Sequence, residues 1–292
     1  MELNNYQELA KEHDQNSNRR ILNSYIIPLF GIIGETGALI SEFKKSFRDK
    51  SGHTKFLVNV EEILGNILWY SSNIATKMNL NLEDIANKNI QKIKERFPKP
   101  GEIICVTELF DSEYKDGEKI PRSMILEFRE EIKNKKKKIK VLVDEKLVGD
   151  VLTDNSYDDD GYRYHDIFHF AYAAILGWSP VVRSIMGIKR KSNPLIDEIE
   201  DGARAAIIEE AISAFVYQFA KDHKFYENIE KVDNQLIKTI RNLSSNLEVS
   251  KCNIAEWEVA ILMGYEVFRK LIKNGGGRVK VDLNNREIKF ID

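Results

Sequence analysis

The spacing of apolar residues changes abruptly along this chain, and that change constrains its fold more than any other feature. Up to Phe97 the apolar positions recur at helical spacing. YQELAKEH opens an amphipathic helix, and LNSYIIPLFGIIGETGALISEFKKSF carries the pattern on both sides of Pro28 and Gly34. After a polar loop at 49–54, VEEILGNILWYSSNIATKM makes a second long helix and LEDIANKNIQKIKERF a third, with Asn81 placed to cap it. FPKPGE (97–102) ends that helix through its prolines and glycine and reads as a linker. Beyond it SMILEFREEIK and KKIKVLV alternate at period two, which predicts antiparallel strands, and VDEKLVGDVL adds a turn and another strand. RVKVDLNNREIKF, at the far end, is a hairpin with Asn284 and Asn285 at its turn, and its strands can complete a sheet with those near 125–150.

Between the two strand regions lie four segments of helical period: YRYHDIFHFAYAAILGW, IDEIEDGARAAIIEEAISAFVYQFAKDH, VDNQLIKTIRNLSSNL and AEWEVAILMGYEVFRKLIKN. The expected fold is therefore mainly α. An all-α helical domain over 1–98 is followed over 99–292 by an α+β domain with a small antiparallel sheet and a helical bundle.

A formal net charge of −2 gives no general attraction to nucleic acid or to an anionic membrane. The lysine run NKKKK (134–138) reads as a solvated hairpin tip and is no direct evidence for nucleic acid. Cys105 and Cys252 are too few and too far apart for a disulfide scaffold. No uninterrupted apolar run reaches the ~20 residues of a membrane span, and the polar start is no secretory signal. A cytoplasmic protein with no membrane partner is expected.

Two constellations carry chemistry. On a helix of 100° per residue Glu35 and Glu42 lie within ~20° of each other. On the next helix Glu62, Asn66 and Asn73 share a narrow stripe in an otherwise apolar pattern. Carboxylates on facing helices suit a hard cation such as Mg²⁺, which takes oxygen ligands and bridges to phosphates. Glutamates on a solvated helix edge would give the same spacing.

The second constellation is RYHDIFHF, where His165 and His169 stand one turn apart with Asp166 beside them, among Ile167, Phe168 and Phe170. Such groups on a buried helix must be paired or bound. The natural facing partners are Glu209 and Glu210 in AAIIEEAISAF, with Glu200 and Asp201 able to contribute from one end. A satisfied structural network and a metal site both fit, and His with carboxylate suits Mn²⁺, Fe²⁺, Zn²⁺ or Mg²⁺. Lys189, Arg190 and Lys191 of GIKRKSNP could meet phosphate or form a solvated loop. Asp158–Asp160 lack EF-hand spacing and read as a turn at a helix N-terminus. No phosphate-binding loop, dinucleotide fingerprint or nucleophile elbow is present, and GGGR (275–278) reads as a helix cap.

LNNYQELA, GIIGETGALISEFKKSFRD and EEILGNILWYSSNIATKMNLNLEDIANKNIQKIKERF, in that order, resemble the MazG-type nucleoside triphosphate pyrophosphohydrolases over about residues 2–98. That resemblance implies an all-α fold, a homo-oligomer (dimer or tetramer), and Mg²⁺- or Mn²⁺-dependent hydrolysis of NTPs or dNTPs to the monophosphate and pyrophosphate. The family's G-E-x-G-E is here Glu35 followed by Ala38 in place of the second glutamate. Its E-E-L-G-D is here Glu62, Ile63, Leu64, Gly65 and Asn66, so a glutamate and an aspartate are replaced. Glu42 and Glu61 are possible substitutes. Asn73, Asn89 and Lys92 match positions that the family places near substrate. The TDNSY…DDGYRYHDIFHFAYAAILGWSPV stretch is similar to a C-terminal extension of some MazG-like proteins.

The resemblance implies a nucleotide pyrophosphohydrolase with Glu35, Glu62 and Asn66 at a thinned metal site. The alternatives are a catalytically weak or inactive nucleotide-binding or regulatory protein, and a metal-dependent phosphohydrolase acting through His165, Asp166, His169, Glu209 and Glu210.

Overall fold

A computed structural model describes residues 1–14, 21–98, 107–133 and 136–291. Cys105, most of the expected linker (99–102) and the tip of the lysine-rich hairpin (134–135) lie outside the described residues. The chain divides into two compact units, Met1–Lys94 and Glu95–Asp292. Its fold is mainly α, with an α+β part.

The first unit is all helical: α1 (Leu3–Glu12), α2 (Ile21–Asp49), α3 (Phe56–Lys77) and α4 (Leu82–Arg96). Helix α2 runs unbroken through Pro28, although proline there removes one backbone hydrogen bond. Gly31 is required where α2 meets α3, because a Cβ there would lie 2.4 Å from the Tyr70 ring. The buried amide of Gln7 ties α1 to the α3–α4 turn: it donates to Leu80 O (2.9 Å) and accepts from Leu82 N (2.7 Å). Asn81 caps α4 by accepting from Asp84 N at 2.9 Å, as its sequence position predicts. The stretch Ser24–Gly52 is, by length and composition, long and apolar enough to cross a membrane. Glycine, serine and threonine interrupt its apolar residues, so no single run of them signals it.

The second unit holds a five-stranded antiparallel sheet, ordered β3-β2-β1-β4-β5. The strands are β1 (Ser123–Lys133), β2 (Lys136–Val143), β3 (Lys146–Leu152), β4 (Gly276–Asp282) and β5 (Glu287–Phe290). Asp144 and Glu145 both take positive φ (45° and 69°), which gives the β2–β3 hairpin the backbone twist it needs. Leu126 pairs with both Val143 and Val279, so β1 sits at the centre and joins the expected early and late strands.

The helices are α5 (Asp166–Leu176), α6 (Pro180–Ile185), α7 (Pro194–Ile199), α8 (Ala203–Lys221), α9 (Asn234–Leu243) and α10 (Ile254–Asn274). Every residue of α5 is buried, packed between α10 and the sheet strands β4 and β5. A helix apolar on all sides must lie in a core, and each large side chain so buried contributes about 1.5–3 kcal/mol. Gly264 lets α10 approach α5, since a Cβ there would stand 3.0 Å from Ala171 Cβ. Asn253 and Glu256 form a reciprocal capping box at the start of α10. Gly275 ends it in the left-handed region at φ 68°, which is the cap that GGGR signals.

Two helix boundaries differ from expectation. IDEIEDGARAAIIEE is not one helix: Gly202 is extended, and a Cβ on it would lie 1.9 Å from Glu198 O. Helix α6 was not expected, although Ser179-Pro180 is a start signal, with Ser179 Oγ accepting from Val182 N at 2.9 Å.

Candidate functional site

In the first unit the α2–α3 packing brings Glu35 and Asn66 face to face. Asn66 Nδ2 donates to Glu35 Oε1 at 3.2 Å, and both side chains are half-buried. Glu62, one turn earlier on α3, is exposed, as is Glu61. Glu42 is no substitute ligand. Its buried carboxylate accepts from Lys45 (2.5 Å), Asn59 (3.0 Å) and His53 (2.7 Å). Those bonds, that from Lys45 first, hold its pKa down to about 2. Asn73 is buried with no hydrogen bond to its Oδ1 among the described residues, while Asn89 and Lys92 are exposed on α4. As a donor set, Glu35, Glu62 and an amide that can turn its oxygen suit one hard cation at most. Two cations beside a triphosphate would need the missing carboxylates.

In the second unit the expected cluster converges. Among the described residues, one group of three or more potential ligand side chains comes together: His165, Asp166 and His169, with ligand atoms all within 4.8 Å of one another. Helix α5 presents them from its N-terminus, with His165 at the cap and Asp166 in the first turn. His165 Nδ1 lies 2.9 Å from Tyr162 O, and the Tyr162 ring stacks on the imidazole at 4.5 Å. His169, fully buried, places Nδ1 2.8 Å from Glu209 Oε1 on α8. Glu209 is itself anchored by Ser179 Oγ (2.6 Å) and Val181 N (2.8 Å). Glu210 is half-exposed, with Oε2 3.4 Å from His169 Nε2, and it makes no shorter bond to that nitrogen.

The electrostatics follow from these contacts. Burial pushes His165 down and Asp166 up. For His169 burial works against the charged form, but Glu209 and then Glu210 outweigh it and raise the imidazole to about 10. Glu210 is lowered because His169 overcomes the opposing effect of burial.

Three other sequence readings resolve as structural. Arg190, a candidate phosphate contact, is buried and donates to Asp201 (2.7 Å) and Glu248 (2.6 Å). Asp201 therefore serves Arg190 rather than the His cluster. Glu200 likewise accepts from Glu248 N at 3.0 Å. Asp159 and Asp154 pair with buried Arg163, and Asp160 accepts from Tyr162 N at 3.1 Å, forming the expected turn. Sequence reasoning missed Tyr162 and Ser179, which orient the cluster. The Ser-Pro start of α6 was the available signal for Ser179.

The structure defines a mainly α protein whose α+β part sets His165, Asp166 and His169, at the start of a buried core helix, against Glu209 and Glu210 of a neighbouring helix. Residues 105–292 match the MazG C-terminal domain family, and the chain belongs to that family. It is also similar to the Gene 37 protein of Mycobacterium phage L5, with 28% identity over 68 residues, covering 23% of this chain and 60% of that protein. No solved structure matches.

Proposed function

We propose that this protein is a metal-dependent nucleoside triphosphate pyrophosphohydrolase acting through the α2–α3 face of its first unit. The observation that carries the reading is the facing of Glu35 and Asn66 across the two helices at 3.2 Å. The MazG-related second unit supports a nucleotide-related hydrolase, and the thinned donor set favours one cation. Mg²⁺ or Mn²⁺ held there would neutralise phosphate charge and polarise the scissile P–O bond. Glu35 and Glu62 supply the negative charge, Asn66 an amide oxygen, and Asn73 a buried amide. Asn89 and Lys92, exposed on α4, meet the nucleotide. Catalysis then rests on positioning and charge stabilisation.

The test is turnover of an NTP and dNTP panel with Mg²⁺ or Mn²⁺, resolving pyrophosphate from orthophosphate. Pyrophosphate release is expected, falling ~100-fold in Glu35→Gln and Glu62→Ala and unchanged in Asp166→Asn. The replacement of three expected carboxylates favours a second reading, a nucleotide-binding or regulatory protein. Nucleotide binding without turnover by the parent would replace the first reading with the second.

We also propose that the first unit assembles with a second copy of itself. Helix α2 packs one face on α3, yet Phe30 (68%), Ile33 (67%) and Phe47 (79%) remain exposed. A helix apolar on more than one face is covered on each. Phe30→Glu with Ile33→Glu is expected to turn a dimer or tetramer into a monomer by light scattering after size exclusion. An unchanged mass would refute that interface.

A further inference from the structure

We propose that His165, Asp166 and His169, with Glu210 as a movable fourth group, bind a divalent first-row transition ion such as Zn²⁺, Co²⁺, Fe²⁺ or Mn²⁺. This site is separate from the α2–α3 face and does not depend on its activity. Both imidazoles have their Nδ1 beside an acceptor, Tyr162 O at 2.9 Å and Glu209 Oε1 at 2.8 Å. Donation there leaves both Nε2 lone pairs free to coordinate, the arrangement by which a backbone carbonyl or carboxylate fixes a ligating histidine. Glu209 is itself held by Ser179 and the Val181 amide, so it orients His169 without being able to swing.

The spacing fits. Donors about 2.1 Å from a tetrahedral ion stand about 3.4 Å apart. His165 Nε2 is 3.5 Å from Asp166 Oδ1, and His169 Nε2 is 3.4 Å from Glu210 Oε2. His169 Nε2 is completely buried, and among the described residues its one polar neighbour is Glu210 Oε2 at 3.4 Å, too long and poorly aligned for a good hydrogen bond, although buried polar atoms are almost always satisfied. Two imidazole nitrogens with one or two carboxylates select a borderline transition ion over Mg²⁺ or Ca²⁺, which prefer all-oxygen shells. Glu210, with 47% of its side chain exposed, gives the ion a way in.

The competing account is a protonated His169 held between Glu209 and Glu210 with no ion. The two are separated by stripping the full-length protein with chelator, loading it with Zn²⁺ or Co²⁺, and measuring retained metal after gel filtration. One equivalent per chain is expected, with a visible Co²⁺ ligand-field band. Retention and band should be lost in His165→Ala and Asp166→Asn. Glu209→Gln should bind about 10–100-fold more weakly, and Glu35→Gln should bind like the parent. Should either cluster variant fail to fold by circular dichroism, the surface change Glu210→Gln replaces it, with weakened affinity expected. Failure of the parent to retain Zn²⁺, Co²⁺, Mn²⁺ or Fe²⁺, or retention indifferent to the cluster variants, overturns the site. Neither result bears on pyrophosphate release at Glu35.

Discussion

Asp201→Ala is expected to cost about 3–5 kcal/mol of unfolding free energy in the second unit. Asp201 is 1% exposed and accepts from Arg190 N (2.7 Å), Nε (3.1 Å) and Nη2 (2.7 Å), with Arg183 Nε at 3.6 Å. Removing it leaves three guanidinium groups on two carboxylates, because Arg190 keeps Glu248 while Arg183 must share Asp111 with Arg122. Uncompensated burial of charge is among the largest single-residue effects known. Trp178 and Trp257, both buried in this unit, report the transition by near-ultraviolet circular dichroism in urea. Arg129→Ala, which breaks the exposed pair with Glu127, is the control and should cost less than about 1 kcal/mol. A loss for Asp201→Ala no larger than that of the control would mean that the network is decorative.

The second large effect is a dependence of stability on pH in the metal-free protein. His169 ordinarily titrates near 6.5, and Glu209 and Glu210 outweigh its burial to raise it to about 10. A raised pKa stabilises the fold fully below 6.5, and that stability is lost as the pH climbs through 10. Glu210 has the opposite sign: lowered from 4.5, it stabilises above 4.5 and fades in acid. The urea midpoint should therefore hold between about pH 5 and 6.5 and decline by a few kcal/mol equivalents toward pH 10. His169→Gln should flatten the alkaline limb. An alkaline decline of the same size in His169→Gln would assign it to other groups.

Local pattern carried much of this fold. The period-two segments became β1, β2 and β4, and the Asn81 cap lay where the sequence put it. What escaped was set by distant partners. EIEDGARAAI has unbroken helical period, and only the Arg190–Asp201 contact and the crowding of Gly202 against Glu198 O divide it. The 100° wheel aligned Glu42 with Glu35, but it could not show that His53 and Asn59 claim the Glu42 carboxylate. The wheel did place His165 and His169 together, and the apolar setting of Glu209 marked it as their partner. It gave no means of separating Glu209, fully buried, from the half-exposed Glu210. Asp201, which the sequence allows to reach the His cluster from one end, turns to Arg190 for the same reason: it lies in the bend between α7 and α8, where the direction of burial depends on tertiary contacts.

The position of β1 also governs when the second unit can form. Its neighbours are β2, which follows almost at once, and β4, whose register pairs Leu126 with Val279. During synthesis β1 therefore waits with one edge open until β4 (Gly276–Asp282) has emerged. The buried helix α5 has no complete bed before then, because α10 is also made late. Closure of such long loops is slow, and an open edge beside apolar β1 is a site of misassociation. A ribosome that stalls in the last helix would release a chain whose first three strands are finished but unsealed.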